Sequence, residues 1–440
     1  MAGAELGSRD VLTALYEAAV EAAHPAFCLP PHLPAPPLRG RLIVLGAGKA
    51  AAAMAAAAEA HYRGTGALDR LVGVVTAPYG YSEVLAARPT AIEVAPASHP
   101  TPDANSVAAA ERALALAAGA TPDDLVLVLL SGGASALWAA PAAGLDLAAK
   151  TALTRGLLKC GADIHEMNTV RRHVSRIKGG RLRKAAAPAP MLTLAISDVP
   201  GDDPTVIGSG PTVPDASTLA DARAVLARRR PQMQRLGLAV PPAVDAALAD
   251  PANETPKPAD PAFADAAYRI IATPAAALAR AAEAARRAGY EVMALGDAVV
   301  GEAREVAAEH ARLALAARRD RRRLAILSGG ELAVTVRNAR GRGGRCQEYA
   351  LALAVALGGE PGICALAADT DGIDGGEGRV ADAAGAIVTP RTLSAVPSLD
   401  ARHHLDNNDA TTFFEKAGGL LVRGPTQTNV NDFRVLLIDA

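Results

Sequence analysis

The amino-acid sequence predicts an α/β protein in which two domains each carry a mostly parallel sheet. Eight short apolar runs, at 42–45, 71–75, 125–130, 191–196, 270–272, 324–327, 364–367 and 435–438, alternate with longer Ala-rich stretches. Such alternation is the pattern of α/β layers, and near-continuous apolar character is expected of strands covered on both faces. Two of the runs end alike, as LVLVLLSGG at 125–133 and LAILSGG at 324–330. Each half of the chain therefore carries a Gly-rich loop at a strand C-terminus, where open α/β sheets bind ligands. Between the halves, PPAVDAALADPANETPKPADPAF at 241–263 has the composition of a linker. The domains expected are 1–245 and 246–440, with a ligand cleft between their loops.

The length of 440 residues is too great for one ordinary core. Half of the residues are hydrophobic but only 3% are aromatic, so the cores must be built from Ala, Val, Leu and Ile. A formal net charge of −1 gives no electrostatic case for nucleic acid or an anionic membrane. The basic runs at 228–230 and 318–323 read as solvated surface. No apolar stretch without a charge is long enough to span a bilayer. Residues 1–10 carry Glu5, Arg9 and Asp10 rather than an apolar signal segment. A cytoplasmic protein is expected. Cys28, Cys160, Cys346 and Cys364 form no CxxC pair and read as reduced thiols rather than a zinc site or disulfide framework.

The first chemical motif is LIVLGAGKAAAAM at 42–54, where a strand runs through Gly46 and Gly48 to Lys49 and an Ala-rich helix. A lysine there sits where helix N-termini already favour anions. Gly46, Gly48 and Ala51 formally fit a dinucleotide-binding pattern, but the next strand runs into Thr76-Ala77-Pro78 instead of the acid that pattern needs. Ala50 stands where a P-loop requires Ser or Thr. Ser131, Gly132, Gly133 and Ser135 can form a backbone anion nest with added hydroxyls. In NTVRRHVSRIK at 168–178, helical spacing sets Asn168, Arg171, Arg172 and Ser175 on neighbouring turns, a face suited to a carboxylate or phosphate; His173 reads as structural. Asp198 directly follows a buried strand and can hold Mg²⁺ or act as a base.

In the second half, Glu331 follows the Ser-Gly-Gly loop, and RGRGGRCQE at 340–348 sets Arg345 in a flexible Gly-rich loop able to approach a transferring phosphoryl group. Asp369, Asp371 and Asp374 follow another strand, a cluster suited to Mg²⁺ held mainly through phosphates. Asn429, Asn431 and Asp432 precede the last strand and can orient a small substrate. Each motif alone also reads as a turn or a solvated face. Together they hold the parts that phosphoryl transfer needs: donors for oxygens, cations for phosphates and a base for the acceptor hydroxyl.

Over most of its length the sequence resembles the glycerate 2-kinase family with a C-terminal MOFRL domain. The resemblance is carried, in order, by GAGKAA, LLSGGASAL, NTVRRHVSRIKGGRL, ISDVPGDDPTVIGSGPTVPD, ETPKPAD, SGGELAVTV, GRGGRCQE, ADTDGIDG and GPTQTNVND. It implies a Rossmann-like N-terminal domain, a smaller MOFRL-type domain, and transfer of phosphate from ATP, with Mg²⁺, to the 2-hydroxyl of D-glycerate. It further implies that Lys49 and Arg345 handle the phosphate and that Asp198, Glu331, Asp371 and Asn429 occupy site positions. Cys346 departs from the pattern, where Asn is expected. Relatives have also been labelled hydroxypyruvate reductases, so an NAD(P)H-dependent oxidoreductase is the alternative, and a non-catalytic sensor a third reading. The partner expected is a small hydroxy acid, with no nucleic acid and no membrane; a homodimer is left open.

Overall fold

The computed structural model describes residues 2–376 and 379–439. They form two compact units: Cys28–Ile271, and Met1–Phe27 together with Ala272–Ala440. The division falls at 271/272 rather than at 245/246 because the linker-like segment is built into the first unit. Val244 and Leu248 are fully buried there, and the Asp215 N–H donates to the Pro256 carbonyl at 3.0 Å.

The sheet of the first unit comprises β1 (Leu42–Ala47), β2 (Leu71–Pro78), β3 (Ile92–Ala97), β4 (Leu125–Leu130), β5 (Met191–Ile196) and β6 (Ala266–Ala272), in the order β3-β2-β1-β4-β5-β6. The pairings of β1 with β2 and β4, β2 with β3, and β4 with β5 are all parallel. This is the doubly wound order, and its reversal point lies between β1 and β4, where such sheets bind ligands. Helix Ala51–Gly64 buries Ala51, Ala52, Ala53, Met54, Ala55 and Ala58, so the scarcity of aromatics is met by close approach of small side chains. The sequence pattern missed β3 (IEVAPA), whose alternating burial interrupts the apolar run.

The second sheet comprises β7 (Glu291–Ala294), β8 (Leu324–Ser328), β9 (Ile363–Asp369), β10 (Gly385–Val388), β11 (Leu420–Leu421) and β12 (Asp432–Ile438), in the order β11-β10-β9-β12-β8-β7. The α/β class holds here too, but the pairing is mixed. Only β7 with β8 is parallel; β12 runs antiparallel to both β8 and β9, and β10 antiparallel to β9 and β11. A continuous apolar run reports burial on two faces, not direction, so the mostly parallel expectation had no purchase on this sheet. Helix Ala2–Ala23 belongs to this unit, burying Leu12, Leu15, Tyr16 and Ala19 at helical spacing, and the Tyr16 hydroxyl donates to the Asp369 carbonyl at 2.9 Å. Among the described residues no helix is long and apolar enough to cross a membrane.

Candidate functional site

In the first unit the two Gly-rich motifs meet at the reversal point of the sheet. The Lys49 N–H donates to the Gly132 carbonyl at 2.8 Å, the Ala50 N–H to Ser131 Oγ at 2.9 Å and the Ser131 N–H to the Ala47 carbonyl at 3.1 Å. Gly48 has φ 138°, and a Cβ there would fall 2.0 Å from Ser131 Oγ, so only glycine permits this stitching. Ser131 is therefore fully buried and its hydroxyl already accepts a backbone bond. Gly46 lies within β1. Lys49 is half-buried, and a Cβ at Gly133 would lie 3.5 Å from its Cγ and 3.0 Å from His99 Nε2. Burial, and then the charge of Lys49, push the His99 imidazole down to about 4, so it is neutral at physiological pH.

The helical motif is tied to the same loop. Ser135 Oγ lies 2.8 Å from Ser209 Oγ, which donates to Asn168 Oδ1 at 3.0 Å. Helix Ile164–His173 starts in a capping box of Asp163 and Glu166, and helix Leu147–Lys159 starts where Asp146 accepts the Ala149 N–H at 2.7 Å. Caps of this kind contribute about 1 kcal/mol each and fix the first turns of both helices. They position Lys150 and Arg171, while Lys178 follows in the next turn; Lys150 and Lys178 are buried. Neither lysine was singled out in the sequence, because a lone lysine in a helical pattern reads as solvated. Arg172 instead pairs with buried Asp215 at 2.9 Å, and His173 is held between the Thr169 carbonyl and Glu254, a structural role as expected. Asp198 lies half-buried just beyond β5.

In the second unit Arg345 is not on a flexible loop. It opens helix Arg345–Leu357, and its guanidinium is held by three carboxylates: Asp432 at 2.8 Å, Asp369 at 2.8 Å and Glu331 at 3.2 Å. Asp369 and Asp432 are directly opposite each other in the β9–β12 ladder. Like charges so placed repel, and the arginine between them offsets the repulsion. The second Asp432 oxygen takes Arg434 Nη1 at 3.0 Å, and Arg434 is fully buried. Burial alone would lower the Arg345 pKa, but Asp369 and Asp432 reverse this and raise it; burial pushes the Asp432 carboxyl up. Glu331, with 57% of its side chain exposed, is the one member of the three that faces solvent.

Asp374 was expected to hold metal; the structure gives it another task. Its two oxygens accept the Cys346 N–H at 3.0 Å and the Gln347 N–H at 2.8 Å, capping the helix that Gly344 cannot cap. A Cβ at Gly344 would lie 2.3 Å from Asp374 Oδ1. Burial pushes this carboxyl up to about 7. Asp371 Oδ1 accepts the Ile373 N–H at 2.8 Å, and Asn429 Oδ1 the Asn431 N–H at 3.2 Å. Among the described residues no three His, Cys, Asp or Glu side chains are grouped to hold a metal ion. The Cys346 thiol is buried, and burial pushes its pKa up, so the departure at this position removes a polar side chain without adding a reactive one.

Comparison with known proteins gives this geometry a family. The chain matches the model of a domain of unknown function (DUF4147) over residues 11–249 and that of the MOFRL family over residues 324–432. It is 47% identical to a putative hydroxypyruvate reductase of Agrobacterium vitis, over 99% of this chain and 95% of that one. It is 38% identical to the D-glycerate 2-kinase of Thermotoga maritima, over 90% of this chain and 91% of that one. The crystal structure of a glycerate kinase from Thermotoga maritima superposes with a TM-score of 0.83 at 35% identity, covering 98% of this chain and 99% of that one. The chain belongs to the glycerate 2-kinase family built from DUF4147 and MOFRL domains.

Proposed function

We propose that this protein transfers the γ-phosphoryl group of ATP to the 2-hydroxyl of D-glycerate, giving 2-phosphoglycerate and ADP. The observation that carries the reading is the placement of Lys49 at the β1/β4 reversal point, stitched to the Ser-Gly-Gly loop. A cation and a backbone nest at that position suit phosphate. The kinase names of relatives that this chain matches along nearly its whole length point the same way.

Lys49 and Arg345 stabilise charge on the phosphoryl oxygens as it develops. For Arg345 this requires the exposed Glu331 to swing aside, since that is the partner it can release without uncovering buried charge. Asp198 accepts the proton of the acceptor hydroxyl, and Asn429 orients the acid. Asp371 is the carboxylate that would hold Mg²⁺, which would supply charge neutralisation on the phosphates. With Asp374 committed to a helix cap, the donor set fits a cation held mostly by phosphate oxygens rather than by a protein cage. The protein acts in the cytoplasm.

A coupled ADP-release assay with ATP, Mg²⁺ and D-glycerate, with the product read by phosphorus NMR, tests the reading. Glycerate-dependent ADP release with phosphate on the 2-oxygen is expected. The reductase reading rests on the names of the Agrobacterium relatives. Against it, β2 ends in Thr-Ala-Pro, where a dinucleotide ribose would need a carboxylate. Consumption of NADH with hydroxypyruvate, and no ADP release, would reverse the order.

A further inference from the structure

The first unit contains a second set of cations that the phosphoryl-transfer reading does not use. A cavity of about 460 Å³ is lined by Lys150, Arg155, Lys159, Arg171 and Lys178, with the neutral His99 beside them. No aspartate or glutamate lines it among the described residues. Lys150 is 5% exposed, and its ammonium nitrogen has no hydrogen-bond partner among the described residues. Lys178 is 1% exposed and donates to the Ser135 carbonyl at 2.9 Å. Burial and the neighbouring cations push Lys150 down to about 7, and Lys178 well below its ordinary value. Buried charges are normally paired, so a cationic group without a carboxylate signals an anion that arrives from outside.

The number of cations decides which anion. A hydroxy acid brings a single carboxylate, which one arginine fork satisfies. A cavity with this many cations and no acid matches a polyphosphate. The volume is in the range of pockets for drug-sized ligands, larger than a small hydroxy acid fills. Pro100, Pro102 and Leu158 supply apolar wall beside the cations, as a nucleoside requires. Gly133 and Ser135 also line the cavity, and Lys49 lies next to Gly133.

We propose that this cavity binds the nucleotide, with Lys150, Arg171 and Lys178 on its polyphosphate and the apolar wall against its nucleoside. The proposal rests on the kinase reading for its choice of nucleotide. Its test is calorimetric titration of the full chain with ADP, inorganic tripolyphosphate and D-glycerate. Lys150→Met, and separately the exposed pair Arg155→Gln with Lys159→Gln, should each weaken ADP and tripolyphosphate binding about tenfold or more, as loss of charged donors to phosphate does, and leave D-glycerate within about twofold. Lys150→Met should melt no lower than the parent protein, because it removes an uncompensated buried cation; the exposed pair does not depend on the core at all.

If D-glycerate affinity falls and ADP affinity does not, the cavity holds the acceptor's carboxylate and the proposal is overturned. Unchanged affinity for all three probes overturns it as well. The kinase reading fails separately: a parent protein that binds ADP through these residues yet phosphorylates no glycerate keeps the cavity and loses the acceptor. Full glycerate kinase activity with ADP binding unaffected in both variants does the reverse.

Discussion

Lys49 and Arg345 are the two residues that the family resemblance pairs, yet their surroundings are opposite. Around Lys49 the structure gathers glycines, hydroxyls, a neutral imidazole and further cations. Around Arg345 it gathers three carboxylates, two of them buried. One cation stands beside a glycine-rich loop at the reversal point of its sheet. The other is already the centre of a buried network and bridges two strands of a sheet. A positive side chain in a kinase site can thus be a ligand for phosphate or a structural keystone that also touches phosphate, and the two should respond differently to removal.

The largest expected effect breaks the network. Arg345→Ala leaves Asp369 and Asp432 buried opposite each other without their cation, and should cost about 3–5 kcal/mol of stability in urea unfolding. A loss of activity with unchanged stability would mean that Arg345 acts on substrate alone. Lys49→Ala should do the converse. It should lower kcat by about 10²–10³-fold, the usual loss for a donor to developing charge, with a smaller loss of stability than Arg345→Ala shows in the same urea unfolding.

A subtler effect concerns pH. The Lys150 pKa is depressed to about 7 in the free protein by burial, then by Arg171; Lys178, Arg155, Lys159 and the neutral His99 line the same cavity. An anion raises it, so binding takes up a proton. Affinity for ADP should be fully present below pH 7 and fall by up to about tenfold per pH unit as pH rises above it. Calorimetry in buffers of different ionisation heat reads the proton, and Lys150→Met should abolish it. The smallest effect belongs to Glu331→Gln. An exposed ion pair contributes under about 1 kcal/mol, so stability should hardly change, while the KM for ATP should fall if Glu331 is the partner that Arg345 must release.

The sequence carried the first sheet well and the second only in part. β4 and β5 coincide with apolar runs, and the β1 loop was legible because glycines at a strand end have few other uses. The pairing direction of β12 and the tethering of Arg345 were not legible. Both depend on Asp369 and Asp432 meeting across a ladder, residues 63 apart with no local signal of contact. Asp374 misled for a related reason. An acidic Gly-rich loop looks like a cation site until a helix N-terminus, contributed by residues nearly thirty positions earlier, is found to occupy the carboxylate. Lys150 was invisible because burial, not composition, makes a lysine unusual.

The position of β12 has a consequence for biosynthesis. This strand, residues 432–438, lies in the middle of its sheet between β9 and β8, and helix Ala2–Ala23 packs in the same unit. Two segments far apart in the chain therefore share one unit. The sheet of Cys28–Ile271 has all its strands before the other unit's first strand is made, but β8 and β9 remain unpaired on their facing edges until β12 leaves the ribosome. During that interval helix Ala2–Ala23 holds an apolar face with no finished core to cover it. A nascent chain stalled before residue 432 should accordingly be a client for chaperones, while its first unit is already protease-resistant.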